Sequence, residues 1–152
     1  MTNLKIGDKA PNIELKTDGN QIFSLAELTG KNCVIYFYPK DDTPGCTLEA
    51  QDFTELYAEF KEKNTEIIGI SKDSVAKHDK FKSKYNIAFK LGSDEDVAIC
   101  KKYGVWVEKS MYGKKYMGID RATFLIDQEG KIKNIWRKVK VKNHAEEVLS
   151  SL

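Results

Sequence analysis

The chain has 152 residues, of which 41% are hydrophobic and 32% charged, a balance that supplies a core inside a heavily charged surface and excludes a disordered or collagen-like chain. Its 25 basic and 23 acidic residues leave a net charge of +2, too slight an excess for a dedicated nucleic-acid or membrane-surface binder. The longest apolar run, residues 33–38, is far short of a membrane span, the opening Met1-Thr2-Asn3-Leu4-Lys5 has no apolar signal core, and three cysteines are too few for a disulfide scaffold. A soluble, cytoplasmic, single-domain protein spanning residues 1–152 is expected, with reduced or reactive thiols and no membrane or nucleic-acid partner.

In chain order, residues 12–15 and 21–24 read as a hairpin about the turn Thr17-Asp18-Gly19-Asn20. Residues 33–38 are apolar on both faces, as in a central strand covered on both sides, and Pro39 ends it. A loop, 40–45, delivers the chain to Cys46. There the period changes: Cys46, Ala50, Phe53, Tyr57 and Phe60 share one face of an amphipathic helix. Residues 65–70 read as a second buried strand, 74–84 as a second helix with Val75, His78 and Phe81 on one side, and 94–103 as a short third helix. Residues 121–127 and 131–141 form a hairpin about the turn 128–130, and Asn143 with Glu146 makes a capping box for a terminal helix through Leu149. Strands interleaved with helices predict an α/β domain with a mixed sheet.

Cys46 stands where a strand, a proline-bounded loop and the first turn of a helix meet. Unpaired backbone N–H groups and the positive end of the helix dipole favour a thiolate there. Ionisation alone supplies at most about one or two orders of magnitude in rate, because nucleophilicity falls as the thiolate fraction grows. A fast thiol reaction therefore also needs its departing group stabilised. Thr43, three residues earlier, occupies the place where a dithiol oxidoreductase carries its other cysteine, so a disulfide reductase or isomerase would lack its second thiol. Pro39 and Pro44 fix the loop and leave the N–H groups of Gly45 and Cys46 free to face a ligand. Of the 25 basic residues only Arg121 and Arg137 are arginines; an arginine opening an apolar strand, where lysine serves elsewhere, points to use of its fork geometry.

The run Pro39-Lys40-Asp41-Asp42-Thr43-Pro44-Gly45-Cys46 resembles the Pro-x-x-x-Thr-x-x-Cys signature of peroxiredoxins. The wider chain resembles their bacterioferritin-comigratory-protein (Q-type) branch, through Gly7-Asp8-Lys9-Ala10-Pro11, Tyr36-Phe37-Tyr38-Pro39, Met111-Tyr112-Gly113-Lys114, residues 118–127 and residues 136–141. The resemblance implies a thioredoxin-like α/β fold, with a central mixed sheet flanked by helices and an N-terminal hairpin. It implies a thiol peroxidase acting on hydrogen peroxide and organic hydroperoxides in antioxidant defence and redox homeostasis. Such a protein is recycled by thioredoxin or another thiol reductant, and is a monomer, with a weak dimer as the alternative. On this resemblance Cys46 is the peroxidatic nucleophile that becomes a sulfenic acid, and Thr43 hydrogen-bonds the thiolate and the peroxide. Pro39 shapes the loop, the N–H groups of Gly45 and Cys46 with Arg121 stabilise charge developing along the O–O bond, and Glu49, one turn after Cys46, holds the guanidinium. Preorganised donors of this kind are worth roughly 10²–10³ each in rate, more than ionisation gives.

The chain departs from that branch in one respect. Many members carry a resolving cysteine five residues after the peroxidatic one, where this chain has Gln51; others carry it in the second helix, near Lys82. Cys33 reads as a buried, inert thiol of the central strand. Cys100, on the short third helix, is either a resolving thiol or a packing residue one turn from Val97. The sulfenic acid would then be resolved by Cys100 after local rearrangement, by a thiol of another molecule, or by an external reductant directly.

The remaining groups have plainer readings. His78 and His144 read as solvated residues of helix surfaces or caps. Metal-ligand spacing and a glycine-rich phosphate loop are both missing from the sequence, so neither a metal nor a cofactor is expected. Lys131, Lys133, Lys138, Lys140 and Lys142, alternating with Ile132, Val139 and Val141, read as the outer face of an edge strand, solvated or open to an acidic partner. Trp106, Met111, Tyr112 and Met117 read as loop and core packing, or as the lining of a peroxide channel or dimer face. Rivals from other classes are a non-catalytic adaptor or sensor that passes oxidation to a partner, and a cysteine hydrolase, for which the sequence places no suggestive His and Asn/Asp pair.

Overall fold

The structure, a computed structural model, describes residues 4–152, so the reading of Met1, Thr2 and Asn3 as free of a signal core lies outside the described residues. The predicted N-terminal hairpin is present as β1 (Glu14–Thr17) and β2 (Gln21–Ser24), joined by a tight turn in which Gly19 and Asn20 take positive φ of 69° and 54°. The elements that follow are β3 (Asn32–Phe37), α1 (Pro44–Glu62), β4 (Thr65–Ser71), α2 (Val75–Tyr85), β5 (Lys90–Ser93), α3 (Ala98–Lys102), β6 (Trp106–Met111), β7 (Lys114–Ile119), β8 (Ala122–Ile126), β9 (Ile132–Trp136) and α4 (His144–Ser150).

Seven strands form one mixed sheet in the order β2-β1-β5-β4-β3-β8-β9. Strand β3 lies between β4, parallel, and β8, antiparallel, which explains its apolar character on both faces. Its side chains alternate between two cores. Val34, Tyr36 and Tyr38 face the core closed by α1, α2 and α4, with Phe53, Phe60, Phe81 and Val148. Cys33, Ile35 and Phe37 face the opposite core, with Ile13, Phe23, Cys100, Tyr103 and Phe124. The layering is the expected thioredoxin-like α/β arrangement, a mixed sheet with helices on both faces and a hairpin added at one edge. No helix among the described residues is long and apolar enough to cross a membrane.

Several elements differ from their predicted form. Strand β9 stops at Trp136 rather than at 141. The chain then leaves the sheet edge, takes positive φ at Lys138, and returns so that the Val139 N–H donates to the Arg121 carbonyl at 3.0 Å. Lys138, Lys140 and Lys142 therefore belong to a loop. The Asn143–Glu146 capping box does not form: Asn143 sits at φ 61°, in the left-handed region, and its side chain makes no cap bond. Helix α3 is only five residues, because Val97 takes φ 55° and Asp94 lies ahead of the helix, accepting from the N–H groups of Ile99 and Cys100. Strand β5 and the separate hairpin β6–β7 were not expected. On that hairpin Met111, Tyr112 and Met117 are exposed rather than packed in a core, Tyr112 almost wholly, while Trp106 is partly buried against the sheet.

Candidate active site

Strand β3 carries the chain to the end of the sheet, where the Tyr38 N–H still pairs with the Ile70 carbonyl of β4 at 3.1 Å. Beyond it the loop turns, with Asp42 at φ 57°, and enters α1 through an extended Thr43 and Pro44 in the first helical position. Cys46 is thus the third residue of α1. The first bond of the helical ladder runs from the Thr47 N–H to the Thr43 carbonyl at 2.8 Å, so the N–H groups of Gly45 and Cys46 precede it and stay out of the ladder.

Arg121 comes from the turn before β8. The register of β8 against β3 pairs Ala122 with Phe37, which sets Arg121 beside the start of the loop. Its guanidinium forks between two residues one turn apart on α1: Nη1 donates to Glu49 Oε1 at 2.6 Å and Nη2 to Cys46 Sγ at 3.2 Å. Gly45 allows that approach, since a Cβ there would stand 3.3 Å from Nη2. The predicted quartet of Cys46, Gly45, Glu49 and Arg121 is therefore one contiguous cluster. Cys46 is 2% exposed and Glu49 1%. Burial pushes the Glu49 carboxyl up to about 7, with Arg121 offsetting part of the effect. Its second oxygen, Oε2, and the hydroxyl of buried Tyr36 are without hydrogen-bond partners among the described residues. Thr43 is at the site, but its hydroxyl donates to the Lys40 carbonyl at 2.9 Å rather than to the sulfur, leaving its lone pairs open to a donor.

Both histidines depart from the reading as solvated residues. His78 is wholly buried, its Nδ1 2.6 Å from Asp41 Oδ2. His144 is buried too, its Nε2 2.8 Å from Thr123 Oγ1, and burial holds the ring below its ordinary value. Asp41, Asp73 and His78 bring ligand-type atoms within 4.8 Å of one another, a cluster that sequence spacing hides because it joins a loop, a strand end and a helix. These atoms are occupied by hydrogen bonds with each other and with Tyr38, Ser71 and Gly92. The other two thiols are not brought to Cys46. Cys33 and Cys100 are buried in the core on the far face of the sheet, and burial pushes both thiols well above their ordinary range.

The AhpC/TSA family pattern matches residues 6–135. A putative peroxiredoxin bcp of Coxiella burnetii is 50% identical over 150 residues, covering 99% of both chains. Peroxiredoxin Bcp of Bacillus subtilis is 50% identical over 149 residues, covering 98% of this chain and 95% of its own. Among solved structures, a cysteine-to-serine mutant of Xylella fastidiosa PrxQ superposes with a TM-score of 0.93 at 41% identity, covering 99% of this chain and 96% of that one. The Xanthomonas campestris bacterioferritin comigratory protein, studied for alkyl peroxide reduction, superposes with a TM-score of 0.90 at 44% identity, with the same coverage.

Proposed function

The chain belongs to the AhpC/TSA family, alongside the thiol peroxidases named peroxiredoxin Bcp, and from that premise we propose that Cys46 reduces hydrogen peroxide and small alkyl hydroperoxides by direct attack on oxygen. The observation that carries this reading is the Arg121 fork, one arm on the sulfur and the other on the buried Glu49 carboxyl. A guanidinium held at 3.2 Å stabilises anionic sulfur and stays in place as charge moves onto the peroxide.

In the proposed step the thiolate attacks one peroxide oxygen as the O–O bond breaks heterolytically. The sulfur keeps that oxygen as S–OH, and the other departs as hydroxide or alkoxide, to be protonated to water or an alcohol. Donors at the helix start, the N–H groups of Gly45 and Cys46, face the reacting oxygens. The Thr43 hydroxyl, its own hydrogen engaged by Lys40, accepts the peroxide O–H and so orients the nucleophile's target.

A first external thiol then condenses with the sulfenic acid, releasing water and leaving a mixed disulfide. A second thiol displaces Cys46 and carries the disulfide away; a dithiol protein such as thioredoxin supplies both. The siting of Cys33 and Cys100 across the sheet supports an external route over resolution by Cys100. Steady-state peroxide consumption with a thioredoxin system tests this: turnover is expected in wild type and in Cys100→Ser, and none in Cys46→Ser. Turnover surviving in Cys46→Ser would remove the nucleophile, and turnover lost in Cys100→Ser would restore the internal route.

A further inference from the structure

The loop presenting Cys46 is fastened by a buried polar chain that the peroxidase reading leaves unused. Asp41 lies five residues before Cys46 and is 8% exposed. Its Oδ1 accepts from the Tyr38 hydroxyl at 2.6 Å, its Oδ2 faces His78 Nδ1 at 2.6 Å, and its N–H donates to Asp73 Oδ2 at 2.9 Å. Asp73 is itself held by the Ser71 hydroxyl at 2.7 Å. On the other side of the ring, His78 Nε2 is 2.9 Å from the Gly92 carbonyl oxygen of β5. A carbonyl only accepts, so Nε2 carries a hydrogen, and a second proton lies between Nδ1 and Asp41 Oδ2, which joins ring and carboxyl as a buried hydrogen-bonded pair. Burial alone would push the imidazole down; Asp41, the Gly92 carbonyl and Asp73 outweigh it and hold the ring above its ordinary value.

The grip continues at the next residue. Asp42 adopts φ 57°, and its carboxylate accepts from Lys84 Nζ at 2.8 Å and the Tyr85 hydroxyl at 2.6 Å. Helix α2 thus holds two consecutive loop residues through His78, Lys84 and Tyr85.

We propose that His78 and Asp41 are positioning residues for the peroxide reaction: their buried pair holds the backbone of residues 40–45 so that the Thr43 hydroxyl and the Gly45 and Cys46 N–H groups converge where a peroxide meets the sulfur. The proposal rests on the reading of Cys46 as the peroxidatic thiol. Its test separates two reactions of that sulfur in the full-length protein. Alkylation by iodoacetamide needs only an accessible thiolate, whereas oxidation by hydrogen peroxide also needs the aligned donors.

In Asp41→Asn and His78→Gln, alkylation is expected to stay within about twofold of wild type while peroxide oxidation slows by about tenfold or more. Tyr38→Phe and Asp42→Ala each release one tether and keep the buried pair; they are expected to slow peroxide oxidation about threefold with alkylation unchanged, and they serve if the first two variants do not fold. A wild-type peroxide rate in the folded variants, or equal losses in both reactions, overturns the proposal. A wild-type protein that reacts no faster with peroxide than with iodoacetamide would instead sink the peroxidase reading itself.

Discussion

Arg121 donates to two side chains at once, and lysine could not. An ammonium is a compact point charge on a flexible stem, whereas the guanidinium presents donors in a rigid fork that spans Cys46 and Glu49 together. Arg121→Lys is expected to keep the fold and to lower the peroxide rate of Cys46 by about tenfold or more, read by stopped flow; wild-type kinetics would take Arg121 out of the mechanism. Glu49 gives a second expectation at this scale. Its carboxyl, held up to about 7 by burial against an ordinary 4.5, keeps its proton in the folded chain where the unfolded chain has released it. The native state then binds more protons between those values, so stability falls as pH rises through the window. Glu49→Gln does not titrate, and the stability of wild type relative to this variant is expected to fall by about 3 kcal/mol from pH 4.5 to 7 in urea unfolding. A difference that stays constant with pH would show that Glu49 ionises as freely in the fold as outside it.

At the scale of elements, the site stands on how β3 and β4 pack beneath α1. Register places Gly69 beside Tyr36, and a Cβ on Gly69 would meet Tyr36 Cζ at 2.7 Å. Tyr36 is wholly buried and stacked on Phe53 of α1 at 4.9 Å, so it has no room to retreat. Gly69→Ala is therefore expected to destabilise by about 1–3 kcal/mol, measured by thermal or urea unfolding; a neutral effect would mean that the ring and helix yield. The start of α4 offers a smaller test. Asn143 is left-handed and caps nothing, so Asn143→Gly is expected to be neutral or slightly stabilising and Glu146→Ala to change stability by less than about 0.5 kcal/mol. A loss of about 1 kcal/mol in either would revive the capping box.

Across the whole molecule, what was legible in the sequence is what local chemistry writes down. The Pro39–Cys46 run, the lone arginine opening a strand and the carboxylate one turn along α1 each announce themselves within a few residues, and the fold brings them together. The period change at Cys46 and the doubly apolar β3 were equally plain. What stayed hidden depends on contacts far apart in sequence. Asp41 and His78 are 37 residues apart, and neither carries a local mark of its partner. Strand β5 is four residues with a glycine inside, and β6–β7 is a solvent-facing hairpin whose lysines and tyrosine mask its alternation around the positive-φ turn Tyr112-Gly113. The sheet also explains why counting cysteines misleads: alternation along β3 and the placement of α3 set Cys33 and Cys100 on the face away from Cys46.

The most direct measurement is rapid-mixing oxidation with one equivalent of hydrogen peroxide, followed by trapping and mass spectrometry of all three cysteines. Fast conversion of Cys46 alone to a sulfenic acid is expected, with Cys33 and Cys100 still thiols. A slow reaction, or oxygen first appearing on either of the other two sulfurs, would contradict it.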